Sequence, residues 1–372
     1  SPALKIEPVL RRLDLASFFS PEQLVVLCPE SDGDDAQVRA ERLLEVLGAA
    51  NRDARVGVAQ FPDDGADAET LFASARAAAA DAPVGGSGLA SKTFRLVGFG
   101  PHTVLVADAS MLRLFDLVRR LAKSELAVLI QGETGTGKEL VASALHFDSP
   151  RAKKKLLAVN CAALNESLLE SELFGHEKGA FTGAVANKPG LFETVAGGTI
   201  FLDEVAEMSP ALQAKLLRAL ETRRVTRLGG ITERQVSFRV VAATHRDLAG
   251  EVQALRFRDD LYFRLAGATV WLPPLRDRKR ELPLLARRFL EEARARTGPP
   301  PLRLAPETMQ LLAEHAWPGN VRELRNVMDF AAATVTGATV EPWHLEERML
   351  EALEAHGWNQ TKACTAIGMP LR

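Results

Sequence analysis

The chain has 372 residues, 47% of them apolar and 25% charged, with a formal net charge of −2. That length suits two or three domains with cores of their own, in an ordinary globular composition. The longest apolar runs, such as "LAVLI" at 126–130, are too short to span a bilayer, which excludes a helical membrane protein. No signal-peptide pattern opens the chain, and Cys28, Cys161 and Cys364 stand apart without metal-like spacing. A cytoplasmic location without membrane partners is therefore expected.

Residues 1–83 read as a small α/β domain. Its Ala-rich last helix gives way to "APVGGSGLASK", the signal of a linker over 84–101. Over 102–275, apolar strand candidates alternate with helical patterns: "LAVLI" (126–130), "LLAVN" (156–160), "TIFLD" (199–203), "FRVVAAT" (238–244) and "TVWL" (269–272). Such alternation predicts an α/β fold, a parallel sheet covered by helices on both faces. "LPPLRDRKRELP" breaks the pattern; 276–341 reads as helices, and 342–372 adds a further helical segment.

"GETGTGKE" at 132–139 follows the first strand and precedes the helix pattern "ELVASALH". A phosphate site needs that context, because glycines let backbone N–H groups wrap the anion at a helix N-terminus. Gly132, Gly135 and Gly137 permit the turn, Lys138 reaches the β- and γ-phosphates, and Glu133, Thr134, Thr136, Glu139 and Leu140 complete the cradle. A hydroxyl residue usually follows the lysine and binds magnesium. Glu139 stands there instead, so the metal depends on other groups. "GGTIFLDE" supplies them at a strand end: Asp203 to hold Mg2+, with Glu204 beside it to orient and deprotonate a water.

Arg258 and Arg264 lie in "FRDDLYFRL". Two readings stand: surface pairing with Asp259 and Asp260, or positive charge delivered to a phosphoryl-transfer site. "GAFTGA" at 179–184 (Gly179, Ala180, Phe181, Thr182, Gly183, Ala184) is poor helix material and too interrupted for a buried strand. Its aromatic either packs into its own domain or meets a partner outside the subunit.

Together these motifs resemble the AAA+ core of the sigma-54-dependent transcription activators, the bacterial enhancer-binding proteins. The resemblance runs from about 102 to 340 and includes "GETGTGKELVA", "VNCAAL", "ESELFGHEKGAFTGA", "GGTIFLDEV", "LQAKLLRAL", "FRDDLYFRL", "LPPLRDR" and "WPGNVREL". It implies an AAA+ sheet sandwiched by helices over 102–275 and a helical lid over 276–341. It also implies ATP and Mg2+ as cofactors, and sigma-54 and RNA polymerase as partners, with GAFTGA as the contact. Asn160 would be the polar switch that holds Glu204, while Arg258 and Arg264 would reach into the next subunit of a ring, usually a hexamer. Arg322 would sense the γ-phosphate from the lid, and Val106 would line the adenine pocket. The family usually carries Asn where this chain has His245, in "ATHRDL". That change bears on rate and pH dependence, since imidazole offers different donors and acceptors in its two states.

"NQTKACTAIGM" resembles the first helix and turn of a Fis-type helix-turn-helix, truncated here before its recognition helix. Enhancer DNA is thus expected to be a partner of the full-length protein and not a specific ligand of this chain. Residues 1–83 resemble the C-terminal half of a GGDEF domain, degenerate because "SPEQL" (20–24) stands where the signature would be. The competing expectations are a AAA+ motor acting on another substrate and a nucleotide-binding regulator with weak turnover.

Overall fold

Short apolar runs bury their backbone polar groups most simply by pairing with one another. The computed structural model describes residues 6, 9–31, 33–48, 53–61, 64–65, 68–90, 94–298 and 301–345. The helix-turn-helix expectation and Cys364 fall within 346–372 and lie outside the described residues.

The N-terminal part is a small α/β unit. β1 (Leu15–Ser20) and β2 (Gln23–Leu27) form an antiparallel hairpin, so residues 20–24 sit at its turn. α1 (Gly33–Gly48), β3 (Val56–Val58), α2 (Ala68–Asp81) and β4 (Ser87–Leu89) follow, with β3 and β4 parallel. An antiparallel hairpin of β5 (Arg95–Phe99) and β6 (His102–Val106) then leads to α3 (Ala109–Ala122), capped by the Asp108 side chain.

The central unit runs through β7 (Val128–Gln131), α4 (Lys138–Phe147), β8 (Leu156–Asn160), α5 (Glu166–Phe174), β9 (Gly175–His176), β10 (Lys188–Pro189), α6 (Leu191–Thr194) and β11 (Thr199–Asp203). It continues through α7 (Pro210–Thr222), β12 (Arg224–Thr226), β13 (Glu233–Gln235), β14 (Arg239–Thr244), α8 (Leu248–Gln253), α9 (Asp259–Leu265) and β15 (Ala268–Trp271). Five of these strands form one parallel sheet in the order β15-β7-β14-β11-β8. Alternate residues feed opposite cores, as the pleat requires. Leu129, Ile200, Leu202 and Ala242 join one cluster with Phe192, Leu216 and Leu261. Val128, Ile130, Phe201 and Val241 join the other with Val118, Val141 and Leu145. Helices therefore cover both faces, and the expected α/β sandwich is the observed one.

The lid is built from α10 (Glu281–Thr297), α11 (Pro306–Glu314) and α12 (Asn320–Thr334), tied by the parallel pair β16 (Arg303–Leu304) and β17 (Thr339–Val340). Trp317 is 1% exposed in its core, and its indole N–H is satisfied by the Leu312 carbonyl at 2.8 Å. Among the described residues, no helix is long and apolar enough to cross a membrane.

Candidate functional site

Parallel strands point their carboxyl ends the same way, so residues from β7, β8, β11 and β14 converge at one edge. The chain leaves β7 at Gln131 and turns through 132–137 into α4. At Gly135 (φ +79°) a Cβ would lie 2.2 Å from the Gly319 carbonyl oxygen, so only glycine fits there. Gly137 caps α4 without a side-chain hydrogen bond, leaving the helix N–H groups available to an anion. Buried Lys138 opens α4. Its ammonium donates to the carbonyls of Gly132 (2.9 Å) and Glu133 (3.3 Å) and lies 3.5 Å from Glu204 Oε1.

The β8–β11 register sets Asn160 opposite Asp203. Asn160 Nδ2 donates to Asp203 Oδ2 at 3.3 Å, and its Oδ1 accepts the Ala162 N–H at 2.9 Å. The amide expected to hold Glu204 thus bonds Asp203 here. The reason is local: Glu204 leaves the strand in the left-handed region (φ +52°) and turns away toward β14. There its Oε2 accepts the His245 backbone N–H at 3.2 Å and lies 2.7 Å from His245 Nδ1.

Burial pushes the Asp203 carboxyl above its ordinary value, helped by the Glu204 charge and opposed by Lys138. Burial acts upward on Glu204 too, but the His245 hydrogen bond and the Lys138 charge outweigh it and hold that carboxyl low. Cys161, which follows Asn160 and donates its backbone N–H to the Asp203 carbonyl at 2.9 Å, is pushed up to about 12 by burial and the two carboxylates, so it is a thiol and not a nucleophile. Among the described residues, no cluster of three or more His, Cys, Asp or Glu could hold a metal alone. One or two carboxylates completed by substrate oxygens is the arrangement magnesium commonly takes, and Asp203 with Glu204 fits it.

The lid lies directly on the loop: Val321 N–H donates to the Gly135 carbonyl at 3.1 Å, and the Arg322 Cβ is 3.2 Å from where a Gly135 Cβ would stand. Val106 is fully buried among the core residues of the β5–β6 side, so its side chain faces no opening. Arg258 is at the N-terminus of α9 and binds Asp260 through two hydrogen bonds (2.7 and 3.0 Å), as the surface-pairing reading expects. Arg264 donates to the Leu220 carbonyl at 3.3 Å. Among the described hydrogen bonds, neither reaches Lys138, Asp203 or Glu204 of its own chain.

GAFTGA forms a turn standing on the two-residue ladder of β9 and β10. Gly179 N–H donates to the Ala184 carbonyl, and Ala184 N–H to that of Phe181. Around Gly183 (φ +109°) a Cβ would meet nothing within 4 Å. Phe181 is 43% exposed, with its ring edge-on to His176 at 5.1 Å. It is no core residue.

Sequence reasoning missed the hairpin of β12 and β13, which braces this turn. Glu177 N–H donates to the Leu228 carbonyl and Leu228 N–H to that of Gly175, both at 2.9 Å. Arg227 grips Glu193 at 2.8 and 2.9 Å and touches Glu177 at 3.4 Å, while Arg234 also reaches Glu177. Ile231, 96% exposed, lies in the turn between the two strands, and a Cβ on nearby Gly229 would stand 2.8 Å from that of Ala180. The hairpin's only sequence signal was a Gly-Gly pair at 229–230 flanked by short β-branched stretches.

Residues 104–271 match the family model described as the sigma-54 interaction domain, and residues 276–362 match the AAA+ ATPase lid domain. The chain is 45% identical over 292 residues to the transcriptional regulatory protein ZraR of Klebsiella oxytoca, covering 71% of this chain and 66% of that protein. It is 40% identical over 353 residues to ZraR of Escherichia coli (strain K12), covering 88% and 77%. Among solved structures, the crystal structure of NtrX from Brucella abortus in complex with ATP superposes with a TM-score of 0.61 at 32% identity, covering 69% of this chain and 56% of that one. The chain thus spans just under two thirds of the K. oxytoca relative and little more than half of NtrX.

Proposed function

Because the chain belongs to the family of transcriptional regulators built on the sigma-54 interaction domain and its AAA+ lid, we propose that it hydrolyses ATP to remodel the sigma-54 RNA polymerase closed complex. The observation that carries this reading is a convergence: Lys138, Asp203 and Glu204 meet at one sheet edge, while the same core projects a half-exposed Phe181 on a braced turn.

The residues divide the work. Loop amides and Lys138 bind the triphosphate, with the lysine exchanging loop carbonyls for phosphate oxygens. Asp203 holds magnesium, with Glu204 beside it; the metal, when bound, polarises the phosphate oxygens. Glu204, held ionised in the resting site by the His245 hydrogen bond and the Lys138 charge, orients and deprotonates the water once it leaves His245. Asn160 steadies Asp203. Arg322 approaches from the lid, and Arg258 and Arg264 act in a neighbour's site, which makes a ring, and a hexamer by family resemblance, the active form. Phe181 and its GAFTGA neighbours contact sigma-54.

One observation favours a second reading, a nucleotide-binding regulator with feeble turnover: Glu204 is tied at 2.7 Å to His245 and lies 3.5 Å from Lys138. Phosphate release measured against protein concentration separates the two. The ATPase reading expects specific activity to rise steeply with concentration and to vanish in Lys138→Ala. Negligible turnover at every concentration supports the second reading.

A further inference from the structure

Glu133 is the carboxylate of the phosphate loop, and the lid side grips it from two residues. Arg276, just beyond the last sheet strand, grips it through two hydrogen bonds of 2.6 and 2.9 Å. Asn320, the first residue of α12, adds a third from Nδ2 at 3.1 Å, and the same amide donates to the Thr134 carbonyl at 3.0 Å. Asn320 is fully buried and left-handed (φ +54°), and its Oδ1 accepts the Leu275 N–H at 2.8 Å. One side chain therefore bridges the loop, the α12 terminus and the segment that carries Arg276. The Val321–Gly135 backbone bond, the Gly319 carbonyl against Gly135 and a buried hydrogen bond from Arg278 to the Thr136 carbonyl at 3.0 Å add to the seam.

We propose that Arg276 and Asn320 are positioning residues that set the phosphate loop through Glu133, so that lid displacement and loop opening are one event. The loop residues they hold, 133–135, adjoin the carbonyls of Gly132 and Glu133 that park Lys138. Moving the lid shifts those carbonyls, and with them the balance between a parked lysine and one turned to an anion. A buried amide with two hydrogen bonds spent across the seam, to Glu133 and Thr134, is costly to separate piecemeal, so the seam opens as a unit. In its consequence for nucleotide release, the proposal rests on the ATPase reading above; in its consequence for the loop, it does not.

The test is backbone hydrogen exchange at residues 133–137 in the intact, nucleotide-free chain, beside the release rate of a fluorescent ADP analogue. Arg276→Glu sets like charge against Glu133 and should speed both several-fold, with an unchanged urea midpoint, because a half-exposed ion pair adds little to global stability. Glu133→Arg should do the same, and the double reversal E133R/R276E should bring both readouts back toward the parent. Asn320→Asp keeps the acceptor for Leu275 but loses the donor, and should also speed loop exchange. Unchanged loop exchange in the single reversals, or no recovery in the double, overturns the proposal. A chain whose loop responds in this way but which binds no ADP keeps the seam and contradicts the ATPase reading instead.

Discussion

Glu204 and Phe181 pose the sharpest residue-scale questions. Removing the carboxylate charge at Glu204 leaves the loop and Lys138 in place, so Glu204→Gln should bind ATP near normally while losing at least about a hundredfold in turnover. Equilibrium binding beside single-turnover hydrolysis checks this, and normal turnover would remove Glu204 from the chemistry. Phe181→Ala deletes a ring that is already 43% exposed. Scaling the cost of a fully buried side chain by the covered fraction, its loss should cost folding about 1–2 kcal/mol, short of the roughly 3–5 kcal/mol of a core phenylalanine. Urea unfolding decides between these, and a core-sized loss would place the ring's role inside its own domain. The meeting of Lys138, Asp203 and Glu204 at one sheet edge was legible because each stands at or soon after a strand end in sequence. The pairing of Glu204 with His245, and of Asn160 with Asp203, was not. It depends on a left-handed backbone at residue 204 and on the β8–β11 register, neither of which leaves a local mark.

Among the elements, strands 156–160 and 199–203 stand where alternation put them, and the others lie within two residues of expectation. The three central strands β7, β11 and β14 are apolar runs buried on both faces, a signal that survives without knowledge of the neighbours, while the edge strands β8 and β15 bury only part of theirs. The β12–β13 hairpin escaped notice because its strands are three residues long and largely polar, held by Arg227 and Arg234 to carboxylates far away in sequence. The start of α10 escaped for a related reason. Glu281 is buried there, accepting the N–H groups of Ala107 and Asp108 at 3.3 and 3.4 Å, with Arg278 at 3.5 Å. Burial pushes its carboxyl up to about 7 from 4.5, against the pull of Arg278. A folded-state value above the unfolded one means that the native chain binds more protons between these limits. This group's contribution to stability therefore falls as pH rises through the window and levels off above it. The spread corresponds to roughly 3 kcal/mol. Glu281→Gln should lack that slope, so the urea midpoint of the variant relative to the parent should improve from about pH 5 to about pH 8. A difference independent of pH would contradict the assignment.

For the whole molecule, the sequence signalled a sheet, a lid and a loop, but not that the lid seals the loop through Glu133, Asn320 and Arg276. Glu133 lies more than a hundred residues from either partner, and only the folded chain brings them together. Assembly belongs to this scale as well. Arg258 sits on the surface with Asp260, so Arg258→Ala should leave the isolated subunit's fold and ATP binding intact while removing most concentration-dependent turnover. Retained turnover would confine Arg258 to surface pairing.

On the proposed function, the nucleotide site and the GAFTGA turn act together on sigma-54. The direct measurement is co-elution of the chain with purified sigma-54, with no nucleotide, with ADP, and with ADP plus aluminium fluoride as a transition-state mimic. The account predicts a stable complex with the mimic, its loss in Phe181→Ala despite normal ATP hydrolysis, and its loss in Lys138→Ala through failed nucleotide binding. Parent protein that never retains sigma-54 in any nucleotide state, or a Phe181→Ala variant that retains it as well as the parent, would contradict the account.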